Sequence, residues 1–324
     1  MSTNSEGLST EGSSTDELID FASAAPVAGS LDVAWNHGSR RRAAAAEPAI
    51  QIHHYDEHTV ILRQSKSVNY EAPFLFLLFG NERALLLDTG ATEQPELFPL
   101  RATVGGLIEA WLKRYPREGY ELVVAHTHGH GDHVAGDAQF ADRPATTVVA
   151  RELEAVQEFF GFDTAAWPAE TVTFDLGGRS LELFGSPGHH KAAITIYDPW
   201  TGILFTGDTV LPGRLYAADY PEFLATLDRM VAFTETHPVT HVLGCHVEMK
   251  QRARRDFPIG ATYQPDERAP QLTVAQLTTA RDASKSVASK RGVHKFDDFI
   301  VYNEPRKSDM IRLLLRGYAA KARP

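Results

Sequence analysis

The stretch that decides the reading is His126-Thr127-His128-Gly129-His130-Gly131-Asp132-His133, which carries four of the chain's 14 histidines. Only one frame within it makes a ligand pattern. From His128 the residues read His-x-His-x-Asp-His, whereas from His126 the aspartate position is taken by His130. His126 is therefore expected to be structural, closing the short apolar strand Glu121–Ala125. Imidazole nitrogen and carboxylate oxygen are good donors for zinc and tolerable ones for iron or manganese. In a tight loop His128 and His130 can face one point, and Asp132 and His133 a second point nearby. Gly129 and Gly131 are expected to remove side-chain bulk and to permit the backbone angles of a compact loop.

Three later segments each deliver one more donor just past an apolar strand. Gly185-Ser-Pro-Gly-His189 turns at Pro-Gly and presents His189, Leu204-Phe-Thr-Gly-Asp208 presents Asp208, and Leu243-Gly-Cys-His246 presents His246. Loops at strand ends are where a rigid scaffold displays reactive side chains. Together they supply His128, His130 and His189 for one metal and Asp132, His133 and His246 for a second, with Asp208 able to bridge the two. Any one of these histidines alone would read as an ordinary surface or core residue, but chance is a poor source of four matched segments in order. His37, His53, His54, His58, His237, His241 and His294 keep the ordinary reading, and His190 is out of frame. Cys245 reads as a small buried residue, since both donor sets are complete without its thiolate.

Outward from these segments, strands and amphipathic helices alternate. Strands are expected at 59–63, in a hairpin of 74–79 and 84–88, at 146–150, near 170–175, 179–184, 192–198 and 202–206, and at 240–243. Helices are expected over 96–115, 152–160 and 220–236. Beyond 250, a capping box at Thr273-Val-Ala-Gln276 opens a helix, 299–302 reads as a strand, and 310–320 as a last helix. The order predicts an α/β sandwich, sheets inside and helices outside. Residues 1–45 are rich in Ser, Thr, Gly and acidic groups and are expected to be flexible or loosely packed. Residues 46–324 are expected to form one domain, with 250–324 as a C-terminal helical extension.

The charge balance narrows the partners. Asp plus Glu number 42 against 32 Lys plus Arg, a formal charge of -10, and an acidic surface repels nucleic acid. Lys250, Arg252, Arg254 and Arg255 form a local basic cluster, read as a solvated face or, more sharply, as an anchor for an anionic substrate group. With a single cysteine no intrachain disulfide can form. No apolar run has the length of a membrane span. Arg40–Arg42 lack the apolar stretch of an export signal. A cytoplasmic protein without a membrane partner is the expectation, and oligomeric state has no code in the sequence.

The His-x-His-x-Asp-His cluster, Pro-Gly-His189, Gly-Asp208 and the late His246 stand in an order and spacing that resemble the metallo-β-lactamase-fold hydrolase superfamily, and Leu87-Asp88-Thr89-Gly90 resembles its early strand-end motif. The resemblance covers about residues 50 to 250. It implies an αββα sandwich of two mixed sheets flanked by helices, and a place for Asp88 behind the metal site, hydrogen-bonded to a ligand imidazole. Two Zn2+ per chain are the expected cofactors, with Fe or Mn as other metals the same donors accept. Two such ions would supply a nucleophile at neutral pH and polarise an acyl carbonyl, and Asp132 is expected to position the attacking oxygen and carry a proton to the leaving group. Tyr216 is a candidate donor to the substrate carbonyl, with packing at the cavity mouth as the equal alternative. Asp208 resembles the glyoxalase II and lactonase branches rather than true β-lactamases, so a small ester, thioester or lactone is expected. Two alternatives share the fold: a mononuclear iron persulfide dioxygenase using His128, His189 and Asp208, and a phosphodiesterase. Loops near 65–73, 161–170 and 210–222 and the C-terminal segment are expected to shape the cavity.

Overall fold

A computed structural model of the chain describes residues 18–23, 25–39 and 47–321. Most of the expected loose N-terminal segment, and Arg40–Arg42, lie outside the described residues. The first sheet runs β1 (Ile50–His54), β2 (Thr59–Gln64), β3 (Phe74–Phe79), β4 (Arg83–Leu87), β5 (Glu121–Ala125) and β6 (Thr146–Val148), adjacent in chain order. Its first four strands pair antiparallel, and β4–β5 and β5–β6 pair parallel. Helix α1 (Leu100–Arg114) makes the crossover between β4 and β5, a connection that parallel strands require. The short α2 (Gly131–Val134) and α3 (Leu153–Phe160) flank β6 in the chain.

The second sheet comes from β7 (Thr171–Asp175), β8 (Ser180–Gly185), β9 (Ile194–Asp198), β10 (Ile203–Gly207), then, past β11 (Arg214–Ala217) and α4 (Tyr220–Thr236), from β12 (His241–Gly244) and β13 (Gln271–Leu272). Its order is β13-β12-β10-β9-β8-β7, antiparallel except for β10 and β12.

Strand β3 explains the layering. Its six residues are all buried, and successive side chains point to opposite faces. Phe74, Phe76 and Leu78 enter a core between the sheets with Leu183, Ile196 and Phe205. Leu75, Leu77 and Phe79 face Val104, Ile108 and Trp111 of α1. On the far side of the second sheet Phe184, Tyr197 and Leu204 pack against Phe223, Leu227 and Met230 of α4. The result is the αββα sandwich.

Helix α1 begins at Leu100 rather than Glu96, because Pro99 takes the cap position and ends the preceding turn. The region beyond 250 contains α5 (Val274–Ser286), opened by the Thr273–Gln276 capping box, and α6 (Lys307–Lys321). It also contributes strands: β13 extends the second sheet, and β14 (Gly292–Lys295) and β15 (Ile300–Asn303) form a small third sheet with β11. Part of the N-terminal stretch lies against this body. Phe21 is buried edge-on to His58 and Trp200, and Trp35 lies edge-on to Phe74. No helix among the described residues is long and apolar enough to cross a membrane.

Candidate metal centre

The donors meet at the ends of β5, β8, β10 and β12. Asp88 follows β4 with φ of +68°, a left-handed angle that aspartate tolerates better than most residues. That turn aims a fully buried carboxylate behind the histidine loop. Asp88 Oδ1 accepts from Thr127 N–H at 2.8 Å. Its Oδ2 accepts from Thr127 Oγ1 at 2.9 Å, His133 Nδ1 at 2.9 Å and Cys245 Sγ at 3.2 Å. Burial pushes the Cys245 thiol well up, and the Asp88 charge adds to this, so the sulfur stays a protonated donor. Asp88, His133 and Cys245 also form a donor group of metal-binding size, but these hydrogen bonds already occupy it.

The expected loop glycines differ from those the geometry requires. Neither Gly129 nor Gly131 has a positive φ, and a Cβ on Gly131 would meet nothing within 4 Å. The constrained glycines lie at the other donors. Gly188, before His189, has φ of +123° and a Cβ there would sit 2.4 Å from Phe223 Cα. Gly207, before Asp208, has φ of +53° and its Cβ would sit 2.7 Å from Thr127 Cβ.

Ligand atoms of His128, His130 and His189 lie within 4.8 Å of one another, as do those of Asp132, His133, Asp208 and His246. His189 Nδ1 donates to Tyr216 O at 2.8 Å, and His246 Nδ1 donates to Glu71 O at 3.1 Å. A carbonyl can only accept, so in each neutral ring Nε2 carries the lone pair. His133 is oriented the same way by Asp88. In the first group His130 Nδ1 stands 2.9 Å from His128 Nε2 and 3.1 Å from His189 Nε2. In the second, His133 Nε2 and His246 Nε2 are 3.4 Å apart, and Asp132 Oδ2 is 3.4 Å from His246 Nε2. Asp208 reaches both: Oδ1 is 3.6 Å from His133 and His246 Nε2, and Oδ2 is 3.9 Å from His189 Nε2.

Facing lone pairs repel unless a cation lies between them. A tetrahedral zinc with Zn–N bonds of about 2.0–2.1 Å spaces its nitrogens roughly 3.3 Å apart, close to the separations here. Asp208 Oδ1 is buried and has no hydrogen-bond partner, which a cation would supply. The donor set fits divalent metal in both groups.

Without a cation, protons answer the acidic groups. Burial opposes a charge on His133 and His246, but Asp88 and Asp208 push His133 well up, and Asp208 and Asp132 push His246 up to about 9. Burial likewise opposes ionisation of Asp132, yet His246 and His133 hold it down at about 2. Burial, aided by the neighbouring His133, drives His128 well below the usual imidazole range. A metal bound here would take the place of these protons.

The remaining histidines fall outside the two groups. His126 Nε2 bonds Asp137 Oδ1 at 2.8 Å, and Asp137 also accepts from Thr89 Oγ1, so His126 ties two loops together. His190 is 5.0 Å ring to ring from His130, and its Nδ1 accepts from Ala192 N–H.

A cavity of about 260 Å³ opens over the donors. Tyr216 lines it, its ring 4.5 Å from that of Tyr302. Loops 65–73 and 210–222 contribute Lys66, Glu71 and Leu211 and the C-terminal region contributes Ile259, while Glu248 comes from the loop after β12. The 161–170 loop does not line it; Trp167 and Pro168 pack on Phe162 and Gly185 instead. None of the four basic residues at 250–255 lines it either, and Lys250 pairs with Asp266 at 3.0 Å. The walls had no signature in the sequence, because Lys66, Glu248 and Ile259 come from three distant loops. Thr127 was within reach, standing inside the histidine cluster. Lys66 is the least expected of these, a fully buried ammonium that burial pushes down to about 8, with Glu267 3.6 Å away.

Residues 72–241, more than half of the chain, match the family model of the metallo-beta-lactamase superfamily. The chain belongs to that superfamily. Its curated relatives include the hydroxyacylglutathione hydrolase of Ruegeria pomeroyi, 28% identical over 197 residues, a match covering 60% of this chain and 69% of the relative. Another, from Synechococcus sp., is 32% identical over 126 residues, covering 38% of this chain and 49% of the relative. A third, from Rhizobium meliloti, is 28% identical over 123 residues, covering 37% and 47%. The chain thus spans about half the length of the latter two. Solved structures similar to it include metallo-beta-lactamases of Pontibacter korlensis (TM-score 0.48, 17% identity, 73% of this chain and 99% of that one) and Erythrobacter litoralis (TM-score 0.49, 16% identity, 74% and 98%).

Proposed function

We propose that the chain hydrolyses a small acyl compound, a thioester first and an ester or lactone next, with two zinc ions as its cofactors. The observation that carries this reading is Asp208, which offers one carboxylate oxygen to each donor group. His128, His130 and His189 would hold one ion, Asp132, His133 and His246 the other, and Asp208 both. Two divalent ions so placed activate water at neutral pH and polarise a carbonyl.

The protein's own groups do the rest. Asp132, ionised and facing the cavity, orients the water and takes its proton. Water oxygen joins the acyl carbon, the carbon–sulfur or carbon–oxygen bond breaks, and Asp132 returns the proton to the departing thiolate or alkoxide. Tyr216 keeps its phenolic proton, since burial and the neighbouring Glu248 charge push its pKa up, and it donates to the substrate carbonyl. The hydroxyacyl thioester of glutathione, for which the relatives are named, is the first substrate to test. The acidic charge balance favours this over nucleic-acid phosphodiesters.

The test is turnover of that thioester, a lactone and a phosphodiester by protein of measured metal content. Two zinc per chain with thioester or lactone turnover, lost in His128→Ala while the fold survives, is the expected result. One iron per chain with oxygen uptake on a persulfide would replace this reading with the dioxygenase one.

A further inference from the structure

Helix α6 turns one face inward and leaves another bare. Leu313 is buried beside Met249, Ile300 and Tyr302. Arg316 grips both carboxylate oxygens of Asp256, at 2.7 and 2.8 Å. A Cβ on Gly317 would lie 2.6 Å from the Ile259 carbonyl oxygen, so the helix backbone rests directly on that loop. The bare face carries Ile311, Leu314, Leu315 and Tyr318, spaced i, i+3, i+4, i+7 and between 49% and 70% exposed.

An apolar stripe of this kind on a water-facing helix marks a place where something binds. Its position indicates what. A shallow recess beside α6 is lined by Tyr70, Ile259, Gly260, Leu314, Gly317 and Tyr318. Tyr70, Ile259 and Gly260 also line the cavity over the metal donors. The two hollows share these three residues and lie side by side, with His and Asp donors bordering one and Leu314 and Tyr318 the other; read together they make one trough.

We propose that this trough holds an aliphatic arm of the substrate, so that the enzyme prefers acyl compounds bearing a long hydrocarbon chain over compact ones. The scissile carbonyl sits at the donors, and the arm passes Tyr70 and Ile259 to lie on Leu314 and Tyr318. This inference rests on the hydrolase reading above and adds its substrate class. The arm can hang from the acyl side or from the leaving group, since the shared requirement is a flexible apolar chain. Full burial of a methylene is worth roughly four-fold in binding, and an open trough that covers about half of it gives about two-fold.

The experiment measures kcat/KM of the metal-loaded enzyme on two series. One is p-nitrophenyl esters from butyrate to decanoate; the other is thioacetates of alkanethiols of the same lengths. The expected result is a rise of about two-fold per methylene in one series, on the order of 50-fold in all, which identifies the side that carries the arm. Leu314→Gln with Tyr318→Ser is expected to reduce the decanoyl-to-butyryl ratio by about ten-fold or its thioacetate equivalent. The same change at Leu97, exposed but outside the trough, leaves the ratio unaltered. Calorimetric titration with 2-decanone and 2-butanone, which cannot be hydrolysed, repeats the comparison without turnover. Tighter 2-decanone binding that the α6 double variant loses supports the trough even if no ester is cleaved, in which case the hydrolase reading fails alone. Flat profiles in both series together with equal ketone affinities overturn the proposal while leaving the hydrolase intact. Wild-type dimers that the α6 double variant dissociates, alongside flat profiles, assign the stripe to self-association instead.

Discussion

Asp88 shows what one residue does when its backbone accepts an unfavourable angle. The positive φ costs about 1 kcal/mol, and four hydrogen bonds into the loop and to Cys245 offset it. Through His133 Nδ1 it leaves Nε2 turned toward Asp132, Asp208 and His246. Asp88→Asn keeps the volume but turns an amide N–H2 toward at least one of these donors. Metal affinity is expected to fall by about 10- to 100-fold, with a loss of about 2–4 kcal/mol in stability. Metal titration and urea unfolding measure the two effects. Wild-type affinity in this variant would remove Asp88 from any positioning role. The seven His and Asp residues that meet in the two groups were legible residue by residue, since a ligand pattern depends on local spacing. The need for Gly131 was misjudged for the same reason, since open space around a residue is a tertiary property, whereas a Cβ on Gly129 would press on Arg151 and His190 at 3.3 Å.

Among the elements, the turn between β8 and β9 carries a tight constraint. Gly188 O accepts from the N–H groups of Ala218 and Asp219 at 2.7 and 3.0 Å, just before α4 begins. The turn therefore seats the start of that helix as well as placing His189. Gly188→Ala meets both a positive φ and a 2.4 Å contact with the Phe223 backbone. It is expected to cost about 3 kcal/mol or more, read as a lower urea midpoint, together with metal lost from the His128, His130 and His189 group. An unchanged midpoint would mean that the turn yields easily. Long elements such as β3 and α4 were legible because each repeats its pattern over several residues. The strands β11, β13 and β14 were not. They have two to four residues each, too few for a periodic signal, and they exist because a distant strand offers its edge.

At the scale of the molecule, Arg179 joins the two sheets. Its guanidinium donates to Asp198 at 3.1 and 2.6 Å beside the second sheet. It also donates to the carbonyls of His58 and Phe79 and to Thr59 Oγ1 in the first. Arg179→Ala leaves Asp198 buried without its ionic partner, and a loss of about 3–5 kcal/mol is expected. Thermal unfolding followed by far-UV and near-UV signals should shift as one transition, with zinc stoichiometry of the folded variant unchanged. Two separated transitions would mean that the sheets fold independently of this link.

The sequence by itself determined the sandwich and picked out the His and Asp residues that meet in two groups, because strand and helix periods and ligand spacings are local properties of a chain. Only the tertiary structure decided which ring nitrogens face one another, that Asp208 reaches both donor groups, and that α6 lies beside the cavity with an apolar face exposed. Those features depend on where loops far apart in the chain come to rest, and packing of the two sheets sets that placement.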